Sequence, residues 1–168
     1  MKKRLISILM IVTMLCGFTG WLPSDGDLFS ISASAASSGM CGENVSWVLD
    51  DSGTLTISGT GSMANYSSSS SAPWNDNASD INRVIVGNGV TSIGNYAFAS
   101  CGNLTSITIP NGVTSIGEDA FNNCKSITGI ILPESVQSIG SWAFYFCTAL
   151  KSINVPNSVT SIGYHAFH

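Results

Sequence analysis

Charged residues are scarce in this sequence of 168 residues: they make up 10% of the chain, with six lysines and arginines against ten acids. Three of the six cations lie within the first four residues, so only Arg83, Lys125 and Lys151 remain for the rest of the chain. Proteins that bind nucleic acid neutralise its phosphates with clustered basic side chains. The sequence therefore predicts no nucleic-acid partner.

The sequence also lacks the residue patterns of common active sites. Its two histidines, His165 and His168, both lie at the C-terminal end, and it contains no Gly-x-Ser-x-Gly, His-Glu-x-x-His or glycine-rich phosphate-binding motif. Glu118 and Asp119 are adjacent, which is more typical of a solvated turn than of an acid/base pair. We therefore expect neither enzyme activity nor a cofactor.

Long apolar runs are absent except at the N-terminus. There, a cationic start is followed by an apolar run over residues 5–18 and by a small-residue segment at residues 33–36. This pattern is typical of a secretory signal peptide, predicted over residues 1–35; an uncleaved anchor is the alternative. We expect a bacterial protein that is secreted or held at the cell surface, with no stable membrane insertion after cleavage.

A 23-residue repeat dominates the remainder. Four copies of a Val-x-Ser-Ile-Gly motif begin at Val90, Val113, Val136 and Val159, and the same offset relates the Ala-Phe pairs, three cysteines and three prolines of successive units. A fixed period of this length is the signature of a solenoid. We expect repeats over residues 81–168, with the last unit incomplete.

The apolar positions change their spacing within each unit. From Ile93 to Leu104 they recur every three to five residues, which indicates a helical or turn-like segment with one buried face. From Ile107 to Ile109 the spacing is two, which predicts a short strand that ends at Pro110. Stacking such units pairs equivalent strands in parallel and buries one apolar set per coil: Val113, Ile116, Ala120, Phe121, Cys124, Ile127, Ile130 and Leu132.

These repeats resemble the BspA-like, or Treponema pallidum type, leucine-rich-repeat family, whose units read much like residues 90–110 at every apolar position. The resemblance implies an α/β repeat solenoid. In it, a right-handed leucine-rich-repeat coil carries a parallel β-sheet on one face and short helical or turn segments on the other. It also implies surface binding to host or matrix proteins, or to other cells.

Residues 36–80 are predicted to form a β-rich N-terminal cap. The alternating Val45, Trp47 and Leu49, the turn-forming residues 50–53 and the apolar Leu55 and Ile57 indicate a β-hairpin, followed by a serine-rich loop. Such a hairpin would cover the open end of the first coil, and Trp74 is expected to plug this cap. At the other end the repeat stops before its final strand, which suggests either a fragment of a longer protein or an end that pairs with another chain.

The cysteines allow several interpretations. Cys101, Cys124 and Cys147 share one inward repeat position, where buried free thiols are expected; a disulfide is the alternative, and a metal site is less favoured. Cys41 stands apart from this column.

Two surfaces are candidates for ligand binding. One is the outward strip of the predicted strands, which includes Arg83, Thr108, Ile131 and Asn154, although a plain solvated sheet face is the alternative. The other is aromatic: Trp142, Tyr145 and Phe146 stand at non-core positions that are held in the earlier units by Tyr96, Ala99 and Ser100 or by Asp119, Asn122 and Asn123. Tyr164 extends this patch, and packing against a missing downstream segment is the alternative to ligand binding.

The sequence therefore predicts a non-catalytic extracellular module for protein interaction or adhesion. Its ligand is expected to be a protein or cell-surface molecule, with carbohydrate also possible. The alternative is a structural or targeting region of a longer secreted enzyme or surface protein that is truncated after His168.

Overall fold

The structure, a computed structural model, describes residues 37–168, which lie in one compact unit. The predicted signal peptide lies outside these residues. The described chain forms twelve short strands: β1 (Ser37–Met40), β2 (Val45–Leu49), β3 (Thr54–Gly59), β4 (Gly61–Ser62), β5 (Arg83–Val86), β6 (Val90–Ile93), β7 (Ser106–Thr108), β8 (Ser115–Ile116), β9 (Gly129–Ile131), β10 (Ser138–Ile139), β11 (Ser152–Asn154) and β12 (Ser161–Ile162).

The predicted parallel sheet is present and contains the segments that alternate in the sequence. In it, β3, β5 and β7 pair in parallel, and β9 and β11 continue as a parallel pair beside β7. Val84 pairs with Ile107, and Ile130 pairs with Ile153, so equivalent repeat positions stand above one another. The 23-residue period therefore corresponds to one coil of the solenoid.

A second parallel sheet, of order β12-β10-β8-β6-β4, was not expected. Its strands contain the Ser-Ile pair of each motif, so Ile116 pairs with Ile93 and with Ile139. The valine three residues earlier is also buried because it lies in a turn, where the Val113 N–H donates to the Pro110 carbonyl at 3.1 Å. The buried Val113 and Ile116 are thus three residues apart because a turn precedes a two-residue strand, and a helix would give the same spacing.

The Ala-Phe segments, expected to be helical or turn-like, are successions of turns: the described residues contain one short 3-10 turn (Asn75–Asn77) and no α-helix. Their N–H groups alternate between two kinds of partner. Phe121 donates to Ala143 of the next coil at 2.8 Å, whereas Asn122 donates to Asp119 of its own coil at 3.1 Å. About half of these N–H groups therefore donate to the next coil. In an α-helix they would donate within the segment itself.

The predicted core set is buried throughout, from Val113 to Leu132. At its centre is a ladder of rings in which Phe121 stacks between Phe98, at a centroid distance of 5.3 Å, and Phe144, at 5.2 Å. Trp74 lies at the N-terminal end of this ladder, 5.7 Å from Phe98, and its indole N–H donates to the Ala97 carbonyl at 2.9 Å. Trp74 is 1% exposed, so it belongs to the core.

The glycine that ends each motif permits the close stacking of coils. A Cβ atom on Gly117 would lie 2.5 Å from the Asn95 nitrogen and 2.7 Å from the Gly94 carbonyl carbon of the preceding coil. No side chain larger than hydrogen fits at this spacing. The recurring Ser and Thr residues support the same stacking, since Thr114 Oγ1 donates to Thr91 at 3.2 Å and Ser135 Oγ donates to Val113 at 2.6 Å.

At the N-terminal side, β2 pairs in an antiparallel manner with both β1 and β3. The turn between β2 and β3 is held by Asp50, whose Oδ1 accepts from the N–H groups of Ser52 and Thr54 at 2.9 Å each, while Gly53 adopts a φ of 79°. Because β3 then pairs in parallel with β5, this β-hairpin is continuous with the first sheet. Its role as a cap remains a prediction.

Candidate binding surface

The first candidate surface, the outward strip of the parallel strands, lies along one face of the first sheet. Arg83 stands in register with Ser106, while Thr108 belongs to a neighbouring row with Ile85. Ile131 and Asn154 are paired in the same way on β9 and β11, and Ile131 is 85% exposed. The structure therefore places the four predicted residues on one face, which bears little charge.

The aromatic residues come together on the turn side of the last coils. Trp142 meets Tyr164 edge-to-face, with ring centroids 5.8 Å apart, and Tyr145 lies 4.2 Å from Phe146. Phe146 is 51% exposed and Tyr164 is 68% exposed. We call these four residues the aromatic cluster.

Two histidines join the cluster at its edge. The ring of His165 lies 3.8 Å from that of Tyr164, and the ring of His168 stacks on Tyr145 at 5.7 Å. Successive coils thus place aromatic rings side by side over a continuous surface. This surface is suited to contact with another molecule, because it offers rigid apolar faces together with hydroxyl, indole and imidazole groups at their rims.

The backbone beneath the cluster has an uncommon conformation. Trp142 and Phe146 have φ values of 52° and 55°, in the left-handed region that Asn, Asp and Gly occupy most readily. The equivalent residues one coil earlier are Asp119 and Asn123, with φ values of 54° and 63°. Bulky aromatic side chains therefore stand where the backbone geometry favours small polar ones, which costs about 1 kcal/mol or more for each.

The coil below the cluster bears two acids. Asp119, expected on a solvated turn, is only 6% exposed, and its carboxylate accepts a hydrogen bond from the Asn122 side-chain amide. A hydrogen bond with Asp119 raises the pKa of Tyr96, and the negative charges of Asp119 and Glu118 raise it further. Glu118 itself is half-buried at the surface. The turn segment of this one coil therefore carries two negative charges.

The second sheet bears a groove that sequence reasoning missed. A cavity of about 500 Å³ runs along it, lined by the serine column of the motifs and by Asn65, Asn95 and Glu118. The recurrence of serine at one repeat position was the signal that could have found it.

The cysteine column is inside the coils as free thiols. Cys124 Sγ donates to the Phe98 carbonyl at 3.1 Å and Cys147 Sγ donates to the Phe121 carbonyl at 3.2 Å. Burial raises the pKa of the Cys101 thiol to about 12 and that of Cys147 to about 11, so both are held protonated. Within residues 37–168, no group of three or more His, Cys, Asp and Glu side chains is placed to hold a metal ion. Over the same residues, no helix has the length and apolar character that a membrane crossing requires.

Comparison with solved structures finds several similar proteins, including the following three. A leucine-rich repeat protein from Eubacterium ventriosum ATCC 27560 is 34% identical with a TM-score of 0.63, over 76% of this chain and 40% of that protein. The T. pallidum leucine-rich repeat protein is 26% identical with a TM-score of 0.60, over 81% and 65% of the two chains. A leucine-rich repeat protein from Bacteroides ovatus ATCC 8483, 24% identical with a TM-score of 0.54 over 74% and 37%, supports the fold alone.

The chain thus spans less than two thirds of the length of each of these proteins. A search of curated proteins found no match. A family model of the BspA-type leucine-rich repeat region matches six copies over residues 75–168, more than half of the chain. The protein therefore belongs to the BspA-type leucine-rich-repeat family, whose repeats form modules that generally mediate protein interactions.

Proposed function

We propose that this protein is a non-catalytic extracellular module that binds another protein through the aromatic cluster and so serves in adhesion. The contact of four large aromatic residues on adjacent coils, of which Phe146 and Tyr164 are more than half exposed while Trp142 and Tyr145 are half-buried, is the observation that carries this proposal. The N-terminal signal pattern, and membership of a family whose proteins are typically secreted or held at the bacterial surface, support an extracellular location.

The types of residue in the aromatic cluster favour protein binding. Trp and Tyr are enriched among the side chains that dominate interface energies, because they bury a large rigid area and keep a polar group at the rim. Contiguous exposed rings are unfavourable in water and mark interaction surfaces. The left-handed backbone at Trp142 and Phe146 adds a second cost that core packing does not require, since Asp119 and Asn123 satisfy the same backbone one coil earlier.

The outward strip of the first sheet is a second contact surface in this proposal. Arg83, Thr108, Ile131 and Asn154 are small or widely spaced, so we expect them to contribute shape complementarity more than binding energy. Met40 serves as a control site, because it is highly exposed and lies on β1, outside both of these surfaces.

The test is adhesion of protein-coated beads to immobilised extracellular-matrix proteins. The double variant Trp142→Asn with Tyr145→Asn introduces a residue suited to left-handed backbone at position 142 and the residue of the preceding coil, Asn122, at position 145. We expect adhesion to fall by about tenfold or more, with a melting temperature equal to or above that of the parent. The control Met40→Ala should change adhesion little.

Three results would contradict the proposal. A large fall in melting temperature would show that the cluster is a packing element. Unchanged adhesion in a stable double variant would show that the contact surface lies elsewhere, and binding to the carbohydrate component of the matrix alone would assign the surface to sugar recognition.

A further inference from the structure

One edge of the first sheet is open among the described residues. Strand β11 pairs in parallel with β9, whereas within residues 37–168 no strand pairs with its other edge. Strand β5, inside the sheet, is paired on both sides, with β3 and with β7. The outer edge of β11 therefore presents backbone N–H and C=O groups in the arrangement that accepts another parallel strand.

A largely apolar cavity of about 330 Å³ lies beside this edge. The residues that line it include Ser152 and Ile153 of β11 together with Phe144, Leu150 and Phe167. Leu150 and Ile153 are only partly buried, although their equivalents one coil earlier, Ile127 and Ile130, are 0% and 5% exposed. The inner pair is covered because the next coil stacks on it, as Ile153 does on Ile130. The cavity therefore has the position that the apolar side chains of an adjacent strand have between the inner coils.

The rim of the cavity carries a positive charge. Lys151 lines the cavity and is exposed, and the described residues around the cavity include no acid. The equivalent residues in the two preceding coils are Thr128 and Thr105, and Thr105 donates both its N–H and its hydroxyl to the Asn82 carbonyl. Lys151 keeps the backbone bond, to Thr128 at 3.3 Å, but its side chain bears an ammonium group instead of that hydroxyl. Stacking does not require a lysine at this position, and the charge favours a partner that carries an acid there.

We propose that the outer edge of β11 binds an extended segment of a partner protein in which an acidic residue is followed by apolar residues two and four positions later. In the parallel register that joins β9 to β11, continued by one residue at each end, the acid faces Lys151 and the apolar residues face Ile153 and Val155. Val155 packs on the core as Ile153 does. Main-chain hydrogen bonds supply the affinity in this mode of recognition, and side chains at alternate positions supply the specificity.

A second copy of this chain fits the edge poorly. At the position that faces Lys151, the strands of a second copy carry no acid: the residues there are Asn82, Thr105, Thr128 and Lys151. The other open edge of its first sheet, β1, reads Ser-Ser-Gly-Met and lacks apolar residues at alternate positions. The inference also goes beyond the proposed adhesive function, because the segment binds at the end of the first sheet, where Phe146 is the one member of the aromatic cluster that lines the cavity.

The probe is a fluorescently labelled peptide of residues 102–110, which include β7, with Thr105→Glu so that an acid precedes Ile107 and Ile109. A second peptide keeps Thr105, and a third combines Thr105→Glu with Ile107→Ser and Ile109→Ser. We expect the first peptide to bind the purified protein about threefold more tightly than the second and at least about tenfold more tightly than the third. Raising the salt concentration should remove the difference between the first and the second peptide.

Two measurements locate the peptide on the protein. Lys151→Gln should make the first and second peptides bind equally. The matched control is Arg83→Gln, which removes the same charge from β5, three coils before β11. Three coils are about 15 Å apart, which is more than the screening length of about 8 Å at physiological salt, so this variant should leave the difference unchanged. Hydrogen exchange of the amides should slow in β11 on peptide binding and stay the same in β1.

Several results would overturn the inference. The first is equal binding of the first peptide and either of the others, and the second is equal weakening of the first peptide by Lys151→Gln and Arg83→Gln. Protection of β1 in place of β11 would assign the peptide to the wrong edge. Sedimentation of the protein alone as a dimer whose β11 amides are already protected would assign the edge to a second copy. Because bead adhesion is tested through Trp142 and Tyr145, the adhesive function and this site can fail separately.

Discussion

The phenylalanine ladder offers a quantitative test of how the coils are held together. Phe121 is fully buried and stacks on both sides, at 5.3 Å from Phe98 and 5.2 Å from Phe144. Phe167 has the same position in the last coil, but it is 41% exposed and stacks on one side only, 5.4 Å from Phe144. The substitutions Phe121→Ala and Phe167→Ala therefore remove the same atoms from two different environments.

The expected magnitudes follow from burial and stacking. Truncation of a buried Phe to Ala costs about 3 to 5 kcal/mol in unfolding free energy, and the loss of two stacking partners places Phe121→Ala at about 5 kcal/mol. Phe167→Ala loses roughly half of the apolar burial and one partner, and should cost about 1 to 2 kcal/mol. The difference between the variants is therefore about 3 kcal/mol or more.

Urea denaturation of the purified variants measures this difference, provided that the slope of free energy against urea is the same in each. A common slope shows that the coils unfold as one cooperative unit, whereas a lower slope for Phe121→Ala would indicate separate melting of the coils beyond it. If the two variants differed by less than about 1 kcal/mol with equal slopes, burial within a shared ladder would not be the source of stability.

Two further predictions concern backbone stacking and the thiols. Gly117→Ala should lower the free energy of unfolding by about 2 kcal/mol or more, since its Cβ would meet the Asn95 nitrogen at 2.5 Å. Gly102→Ala, whose Cβ would have nothing within 4 Å, should be neutral or slightly stabilising. The melting temperatures of the two variants compare them directly. Because burial raises the thiol pKa of Cys101 from 9.0 to about 12 and of Cys147 to about 11, the unfolded chain releases protons first as the pH rises, so stability should be full below pH 9 and fall through pH 9 to 12. Urea midpoints across this range measure the effect, and a midpoint independent of pH, or rapid labelling of native thiols by a small alkylating reagent at neutral pH, would contradict buried protonated thiols.

The core could be predicted from the sequence because identical residues at one offset experience the same environment. Phe98, Phe121 and Phe144 recur every 23 residues, and no surface requirement explains the invariance of a large ring. Strand β7 was also predictable, since Ile107 and Ile109 alternate with polar residues. The position of Trp74 in the ladder was less predictable, because Trp74 lies outside the repeat register.

The turn segments could not be distinguished from helices by apolar spacing. Ala97, Phe98 and Cys101 all face inward, as they would on one side of a helix. What excludes the helix is the use of alternate N–H groups between coils, such as the bond from Phe98 to Ala120 at 2.8 Å, which depends on a neighbour that no local pattern represents. The second sheet escaped prediction for the same reason, because a two-residue strand such as β8 exists only through its pairing with the next coil.

Beneath the aromatic cluster, the fold fixes the backbone conformation but not the identity of the side chains. Trp142 keeps its left-handed conformation because its N–H donates to Tyr164 at 2.9 Å and the Asp119 N–H below donates to Ser141 at 3.0 Å, and neither bond involves a side chain. The stacked coils thus impose the backbone, and they impose it equally on Asp119 and Trp142. The same backbone position holds Tyr96, Asp119 and Trp142 in successive coils, so the fold leaves its side chain free to vary, and the contact surface that we propose uses this freedom.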